Sequence, residues 1–236
     1  VPTSWEVVFS PAWSPDGAVI AYAACETFSA CGVPETRLSD GADTVLIAPA
    51  EGHLPWPTSW SPDGRYLIFG RTASFDPNGA EFWTYDRASG ESAPLFSTPS
   101  RFSALEGAVS PDGRWLAYRS EETGAWEVWV RPFQSAGAPR RISAEGGRLP
   151  RRRADGRELF FQWPDGQIMS VEVQAGPEFT HSPPLRLFGA PAGSRHNLFD
   201  IGTSYDVSPD GQRFAVRMTA TVPHAALVQN WRALVR

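Results

Sequence analysis

Short apolar runs recur along the chain at regular intervals: Val19-Ile20-Ala21-Tyr22, Tyr66-Leu67-Ile68-Phe69, Trp115-Leu116-Ala117-Tyr118, Leu159-Phe160-Phe161 and Phe214-Ala215-Val216. β-branched and aromatic residues dominate them, and Gly, Pro, Asp or Ser bound each one, which is the pattern of buried strands. No segment sustains a helical period, so essentially no helix is expected. A further run follows in most cases: Glu81-Phe82-Trp83-Thr84-Tyr85, Glu127-Val128-Trp129-Val130, Ile168-Met169-Ser170-Val171 and Leu227-Val228-Gln229-Asn230-Trp231. Shorter fourth strands are expected at Pro94-Leu95-Phe96 and Arg141-Ile142-Ser143.

The corners ahead of these runs also repeat. Ser14-Pro15-Asp16-Gly17 returns as Ser61-Pro62-Asp63-Gly64, Ser110-Pro111-Asp112-Gly113 and Ser208-Pro209-Asp210-Gly211, with a degenerate copy at Arg153-Ala154-Asp155-Gly156. Successive aspartates lie 47, 49, 43 and 55 residues apart, near the roughly 40 to 50 residues of one propeller blade. Proline presets the first turn position, aspartate bonds its own backbone, and glycine supplies the positive φ that closes the turn. Four strands per repeat is the blade pattern. The pattern therefore predicts an all-β β-propeller of five four-stranded blades, with six as the alternative count, in which residues 1–236 form a single domain. The unassigned apolar segment 5–9 is expected to close the ring as the outer strand of the last blade, hiding the sheet edges.

These corners, each followed by an apolar strand, resemble the WD40-like repeats of the TolB family, also called PD40 repeats. A closer resemblance is to the C-terminal propeller of bacterial serine/threonine kinases. It rests on Trp126-Glu127-Val128-Trp129-Val130-Arg131-Pro132-Phe133, on Ala154-Asp155-Gly156-Arg157-Glu158-Leu159-Phe160-Phe161, and on residues 205–214 with Asn230-Trp231. The resemblance implies a propeller that binds partners or senses, without catalysis of its own. It carries over no kinase activity, because no kinase elements are present, and TolB-type propellers usually have six blades where five repeats are visible.

Composition narrows the function. With 42% hydrophobic and 20% charged residues, 22 Pro, 21 Gly and 10 Trp, the chain is globular and rich in turns. All 21 basic residues are arginine, which suggests a GC-rich coding genome and removes Schiff-base and P-loop lysine chemistry. A formal net charge of -5 argues against a general nucleic-acid binder. No apolar run approaches the roughly 20 residues of a membrane-spanning helix, so no direct membrane span is expected. The chain starts at Val1 without a methionine or signal-like stretch, so a processed product or an excised domain is expected. Cys25 and Cys31, placed in a loop after a strand, either form a disulfide, which would favour an oxidising compartment such as the periplasm, or are two free thiols. No second pair completes a metal site.

Catalytic chemistry is thin. The four histidines, His53, His181, His196 and His224, sit among prolines and glycines, and neither a G-x-S-x-G elbow nor an H-E-x-x-H occurs. No enzyme activity and no cofactor is expected. The alternative is a five-bladed glycoside hydrolase, which needs carboxylates converging on the central channel. The equivalent innermost positions are Ala12, Ser59, Ala108, Arg151 and Asp206, only one of them acidic, with Glu106 nearby. Asp76-Pro77-Asn78-Gly79-Ala80-Glu81 has some calcium-loop character but reads as a hairpin tip, and Trp163-Pro164-Asp165-Gly166 reads as a turn.

The repeat is broken at residues 148–153. Arg152 and Arg153 stand where other blades carry Trp13, Trp60, Val109 or Val207 and then serine. Either Arg151 faces Asp206 of the next blade, or Arg151 and Arg153 form a site for an anion or an acidic partner. Trp13, Trp60, Trp83, Trp115 and Trp129 are expected to pack between blades, whereas Trp56, between two prolines, is expected to be an exposed anchor. The expected partner-binding face comprises His53, Trp56, Arg101, Phe102, Glu106, Arg148, Arg151 and Arg153, with residues 196–200. Its partner is expected to be a protein, in an extracytoplasmic and membrane-associated complex.

Overall fold

A computed structural model describes residues 5–27, 29–73, 80–96, 104–175, 178–189, 205–218 and 224–229. Among these residues there are twenty strands and no helix. Contacts divide the chain into two compact units, Val1–Val109 with Ser120–Glu122, and Ser110–Arg119 with Thr123–Arg236.

In the first unit, blade one is β1 (Val7–Trp13), β2 (Val19–Thr27), β3 (Ala30–Arg37) and β4 (Asp43–Glu51), and blade two is β5 (His53–Trp60), β6 (Tyr66–Ala73), β7 (Glu81–Asp86) and β8 (Glu91–Pro94). Strands within a blade pair antiparallel in chain order. A parallel bridge from Ala30 to His53 joins the two blades into one sheet. The unit also holds β9 (Ala104–Val109), the innermost strand of the third repeat.

Segment 5–9 does not supply an outer strand to the last blade. Val7, Val8 and Phe9 oppose Cys25, Ala24 and Ala23 of β2 in the first blade. The cause is a bulge between Phe9 and Ala12, entered through Ser10 at φ 50°. It lets one strand run on past the innermost positions, and β2 extends to Thr27 to meet it.

Each blade has two faces. Ala12, Val19, Ala21 and Val33 of blade one pack against Trp60 and Leu67 of blade two. The Trp60 indole N–H donates to the Ala12 carbonyl at 3.1 Å. Arg87 then pins the two blades together, its Nη2 lying 2.6 and 2.8 Å from the two oxygens of buried Glu35 and its guanidinium 5.0 Å above the Trp60 ring. A buried carboxylate needs such a partner to offset its lost hydration.

The second unit carries β10 (Trp115–Ser120) as far as Arg119, β11 (Glu127–Pro132) and β12 (Arg140–Arg141) of the third repeat. Blade four is β13 (Arg148–Arg152), β14 (Glu158–Gln162), β15 (Gln167–Ala175), β16 (Phe179–His181) and β17 (Leu185–Gly189), and blade five is β18 (Tyr205–Val207), β19 (Arg213–Met218) and β20 (His224–Gln229). β15 is long enough to pair with β16 through Val173 and with β17 through Ile168. Along β14, Leu159 and Phe161 turn toward Trp115, Val128 and Val130, while Phe160 turns the other way and meets Phe214 edge-on at 5.1 Å. A strand buried on both faces reads as a continuous apolar run, which is why this one was visible without alternation.

The fourth strand of the third repeat is shorter than the expected Arg141–Ser143 stretch because Ile142 and Ser143 curl inward. Ser143 donates to the buried Glu127 carboxylate and accepts the Val128 amide at 2.8 Å, and the Gly146 amide donates to the same carboxylate at 3.1 Å.

Corner geometry repeats faithfully. Each corner serine donates to its aspartate at 2.5 to 2.6 Å. The same hydroxyl accepts the amide five residues on, from Val19, Tyr66, Trp115 or Arg213. Gly17, Gly64, Gly113 and Gly211 lie at φ 69 to 71°, a region that only glycine adopts without strain.

Candidate functional site

In blade four, three consecutive arginines replace the repeat's usual residues, and β13 aims them in three directions. The Arg151 Nε lies 3.5 Å from Asp206 Oδ1 at the equivalent position of the next blade. Arg152 takes the position that Trp60 has in blade two; burial pushes its guanidinium down to about 10, with the Asp112 carboxylate pulling the other way, so it is charged at neutral pH. Arg153 stands in for the corner serine. Its Nε and Nη2 fork onto Asp155 at 2.7 and 2.6 Å, and its Nη1 reaches Glu158 at 3.0 Å. The missing Ser-Asp hydrogen bond is thus replaced by a bidentate ion pair, and the fork holds Asp155 down at about 2.

A cavity of about 1090 Å³ opens beside this corner, lined among others by Arg153, Asp155, Glu158, Ser170, Glu172 and His181. Its one buried carboxylate, Glu158, accepts from both Ser170 at 2.6 Å and Arg153. Arg153, Asp155, Glu158 and Ser170 are thus joined to one another.

Innermost strands share a second device. Ser10, Glu106 and Leu149 each precede their corner aspartate by six residues, and all three have φ of 50 to 55°. In blade two the position is Pro57, which cannot adopt that φ, yet the pairing still shifts between Pro57 and Ser59. Sequence gives no sign of these bulges beyond the shared spacing. Glu106 is thereby set half-buried on a strained bend of β9 in the first unit. In the second unit the Leu149 carbonyl accepts from the Tyr205 hydroxyl at 2.7 Å, and the Arg148 Nε donates to Gln162 at 3.1 Å.

His53 is half-exposed at the start of β5, its Nδ1 3.1 Å from the Glu51 carbonyl. Trp56 is not an exposed anchor: it lies within β5 and is only 3% exposed. Its indole lies across Gly70 on β6, where an added Cβ would fall 2.2 Å from the ring. The flanking prolines read as loop, but the bulge accommodates them in a strand; the informative signal was the glycine in the strand opposite. Arg101, Phe102, residues 196–200 and the 76–79 part of the calcium-like segment lie outside the described residues. The segment 163–166 is a turn, closed by the Gly166 amide on the Trp163 carbonyl.

Among the tryptophans placed between blades, Trp60 and Trp115 are buried and Trp83 and Trp129 partly so, but Trp13 is 60% exposed. A disulfide joins Cys25 and Cys31, and these are directly opposed residues of β2 and β3, not loop residues.

No family model matches the sequence. An uncharacterised protein of Agrobacterium fabrum (strain C58) is 27% identical over 227 residues, covering 86% of this chain and 67% of that protein. Among solved structures, TolB from Acinetobacter baumannii superposes with a TM-score of 0.71 at 21% identity, over 95% of this chain and 52% of that one. The fold is a β-propeller. Oligogalacturonate lyase from Vibrio parahaemolyticus matches with a TM-score of 0.64 at 11% identity, over 97% of this chain and 67% of that one. A periplasmic gluconolactonase of Pseudomonas aeruginosa matches at 0.57 and 18%, over 91% and 64%. This chain thus spans about half the length of the TolB chain, and the fold it shares is also the fold of two enzymes, so function has to be argued from its own residues. Among the described residues, no helix is long and apolar enough to cross a membrane.

Proposed function

We propose that this propeller acts by binding another protein, as an accessory or sensor domain of a larger extracytoplasmic assembly, and that its five repeats work as one domain. One observation carries the reading. At the innermost position where a propeller glycosidase would need two facing carboxylates, the chain has Ala12, Ser59, Ala108, Arg151 and Asp206, and the one carboxylate is ion-paired with Arg151. The corner aspartates are equally committed, each tied to its own serine or arginine. The Arg153 fork, which suits an anionic ligand by its chemistry, is closed on Asp155 and Glu158, so we assign partner contact to His53 and Glu106 in the first unit and Arg148 in the second. The disulfide supports an oxidising compartment, as does the likeness to a periplasmic lactonase. The resemblance to kinase-linked propellers adds only the notion of a domain that senses or binds.

The test has two arms. Purified protein is assayed for opening of gluconolactone and for cleavage of oligogalacturonate, with and without calcium and manganese; no turnover above the uncatalysed rate is expected. A rate more than about 1000-fold above it, within the ordinary range of enzymes, would overturn the proposal in favour of catalysis. In parallel, His53→Ala is expected to reduce recovery of a stoichiometric partner from the source organism without changing thermal stability, and Arg148→Ala to reduce it as well, with some loss of stability because buried Gln162 loses a donor.

A further inference from the structure

Blade four departs from the repeat a second time, beyond its corner. Its third strand, β15, has nine residues where β7 and β11 have six, and the extra length pairs with β16 as a hairpin that reaches past the start of β14. This hairpin is held in place. Phe179 is fully buried with its ring 5.3 Å from Trp115, and its carbonyl accepts from Arg140 Nη1 at 2.6 Å. Val171, Val173 and Phe179 turn one face of the hairpin into the core. Side chains alternate along a strand, so Glu172 and Gln174, with Thr180 directly opposite Gln174, belong to the other face. Those three line the cavity of about 1090 Å³ beside the Arg153 corner. A cavity of that size with a fixed wall has the dimensions of a large preformed ligand site.

The lining selects the chemistry of the ligand. Among the described residues, Val173 and Leu185 are its only apolar side chains, so an apolar ligand would desolvate polar groups and give them nothing in return. Of the carboxylates and guanidinium groups around the cavity, Arg153, Asp155 and Glu158 satisfy one another. Arg157 and Glu172 remain, one of each sign. Among the described residues no hydrogen bond or ion pair engages either side chain, and Arg157 acts on Asp155 only at a distance. A guanidinium suits a carboxylate, and a carboxylate suits an ammonium. Gln174 and Thr180 add a carboxamide and a hydroxyl, which can both donate to and accept from a peptide group. A neutral sugar would neutralise neither charge.

We propose that this cavity binds a zwitterion of the amino-acid type, a short peptide or a free amino acid, with the ligand's carboxylate on Arg157 and its ammonium on Glu172. The site does not depend on partner contact at Arg148, which lies at the other end of β13, opposite Gln162. Isothermal titration calorimetry of the purified chain with tetraalanine and with free alanine is expected to show saturable binding. Tighter binding of tetraalanine names a short peptide as the ligand, and equal binding names a single amino acid. Acetylating the amino end or amidating the carboxyl end of tetraalanine is expected to weaken binding about tenfold each, the loss of one charge-assisted contact. In Arg157→Gln the amide and the free acid are expected to bind alike, and in Glu172→Gln the acetylated and free peptides. Both side chains are exposed and unbonded, so both variants keep the circular dichroism spectrum of the parent chain. Absence of binding to tetraalanine and alanine at millimolar concentration overturns the proposal. So do blocked peptides that bind as tightly as free ones, binding that survives both substitutions, or saturable binding of maltotriose in place of the peptide.

Discussion

Aspartate at a blade corner does its work locally. Hydrogen bonds from Ser14, Ser61 and Ser208 hold Asp16, Asp63 and Asp210 below the usual carboxylate range. At Asp112 burial pushes upward, and the Ser110 hydroxyl and Arg114 amide outweigh it. Asp155 goes lowest, to about 2, because a guanidinium replaces the hydroxyl. A carboxylate depressed in the folded state stabilises it above the unfolded pKa, and that stability is lost as pH falls through the folded value. Acid unfolding is therefore expected to be partly driven by these corners below about pH 4, and Arg153→Ala is expected to move its midpoint to higher pH, as followed by circular dichroism. Ser61→Ala is expected to lower stability by about 1 to 2 kcal/mol in denaturant titration, since it removes one partner of a satisfied turn. The corner was legible because its residue types dictate the turn. Trp56 was not, because its burial depends on Gly70 fourteen residues away. Gly70→Ala is expected to destabilise by more than about 1 kcal/mol and to shift the tryptophan emission; an unchanged protein would put Trp56 outside its slot.

Strands are the scale at which the sequence pattern was most informative, and its errors share one cause. The apolar runs marked where strands are doubly buried; where a strand continues past a bulge, as β1 does, or ends in a side-chain network, as β12 does, the pattern carries no mark. Spacing alone could not place Cys25 and Cys31 on facing strands, because a gap of five residues fits a loop as well as a hairpin. Joined across β2 and β3, they close the tip of that hairpin in the unfolded chain too. Cys25→Ser with Cys31→Ser is expected to remove about 2 kcal/mol of stability by chain entropy, read as a lower denaturant midpoint with a small change in slope. Glu127 has a larger local role. Glu127→Ala leaves Ser143 and the Gly146 amide without their acceptor and is expected to lower stability by about 1 to 3 kcal/mol per stranded group; an effect of a few tenths would contradict the network.

Across the whole molecule, five corner repeats were enough to read a propeller, and the structural likeness to TolB agrees. The candidate site was only partly readable. Arginines at 151–153 were visible as a break in the repeat, but the destinations of Arg151 and Arg153, Asp206 and the Asp155–Glu158 pair, depend on partners that spacing does not reveal. Trp13 and Trp60 share residue type and register, yet one is exposed and the other buried, a difference that the repeat pattern does not carry. Binding without catalysis is the central claim, and with no lysine the sequence offers ordinary amine cross-linkers no side chain to react with. A photo-reactive residue in place of Arg148, irradiated in cells of the source organism, is the most direct measurement. The account predicts one discrete heavier adduct containing a different protein, absent when the photo-reactive residue is placed at exposed Arg37 instead. Finding no adduct, together with turnover of a lactone or oligosaccharide by the purified chain, would contradict it.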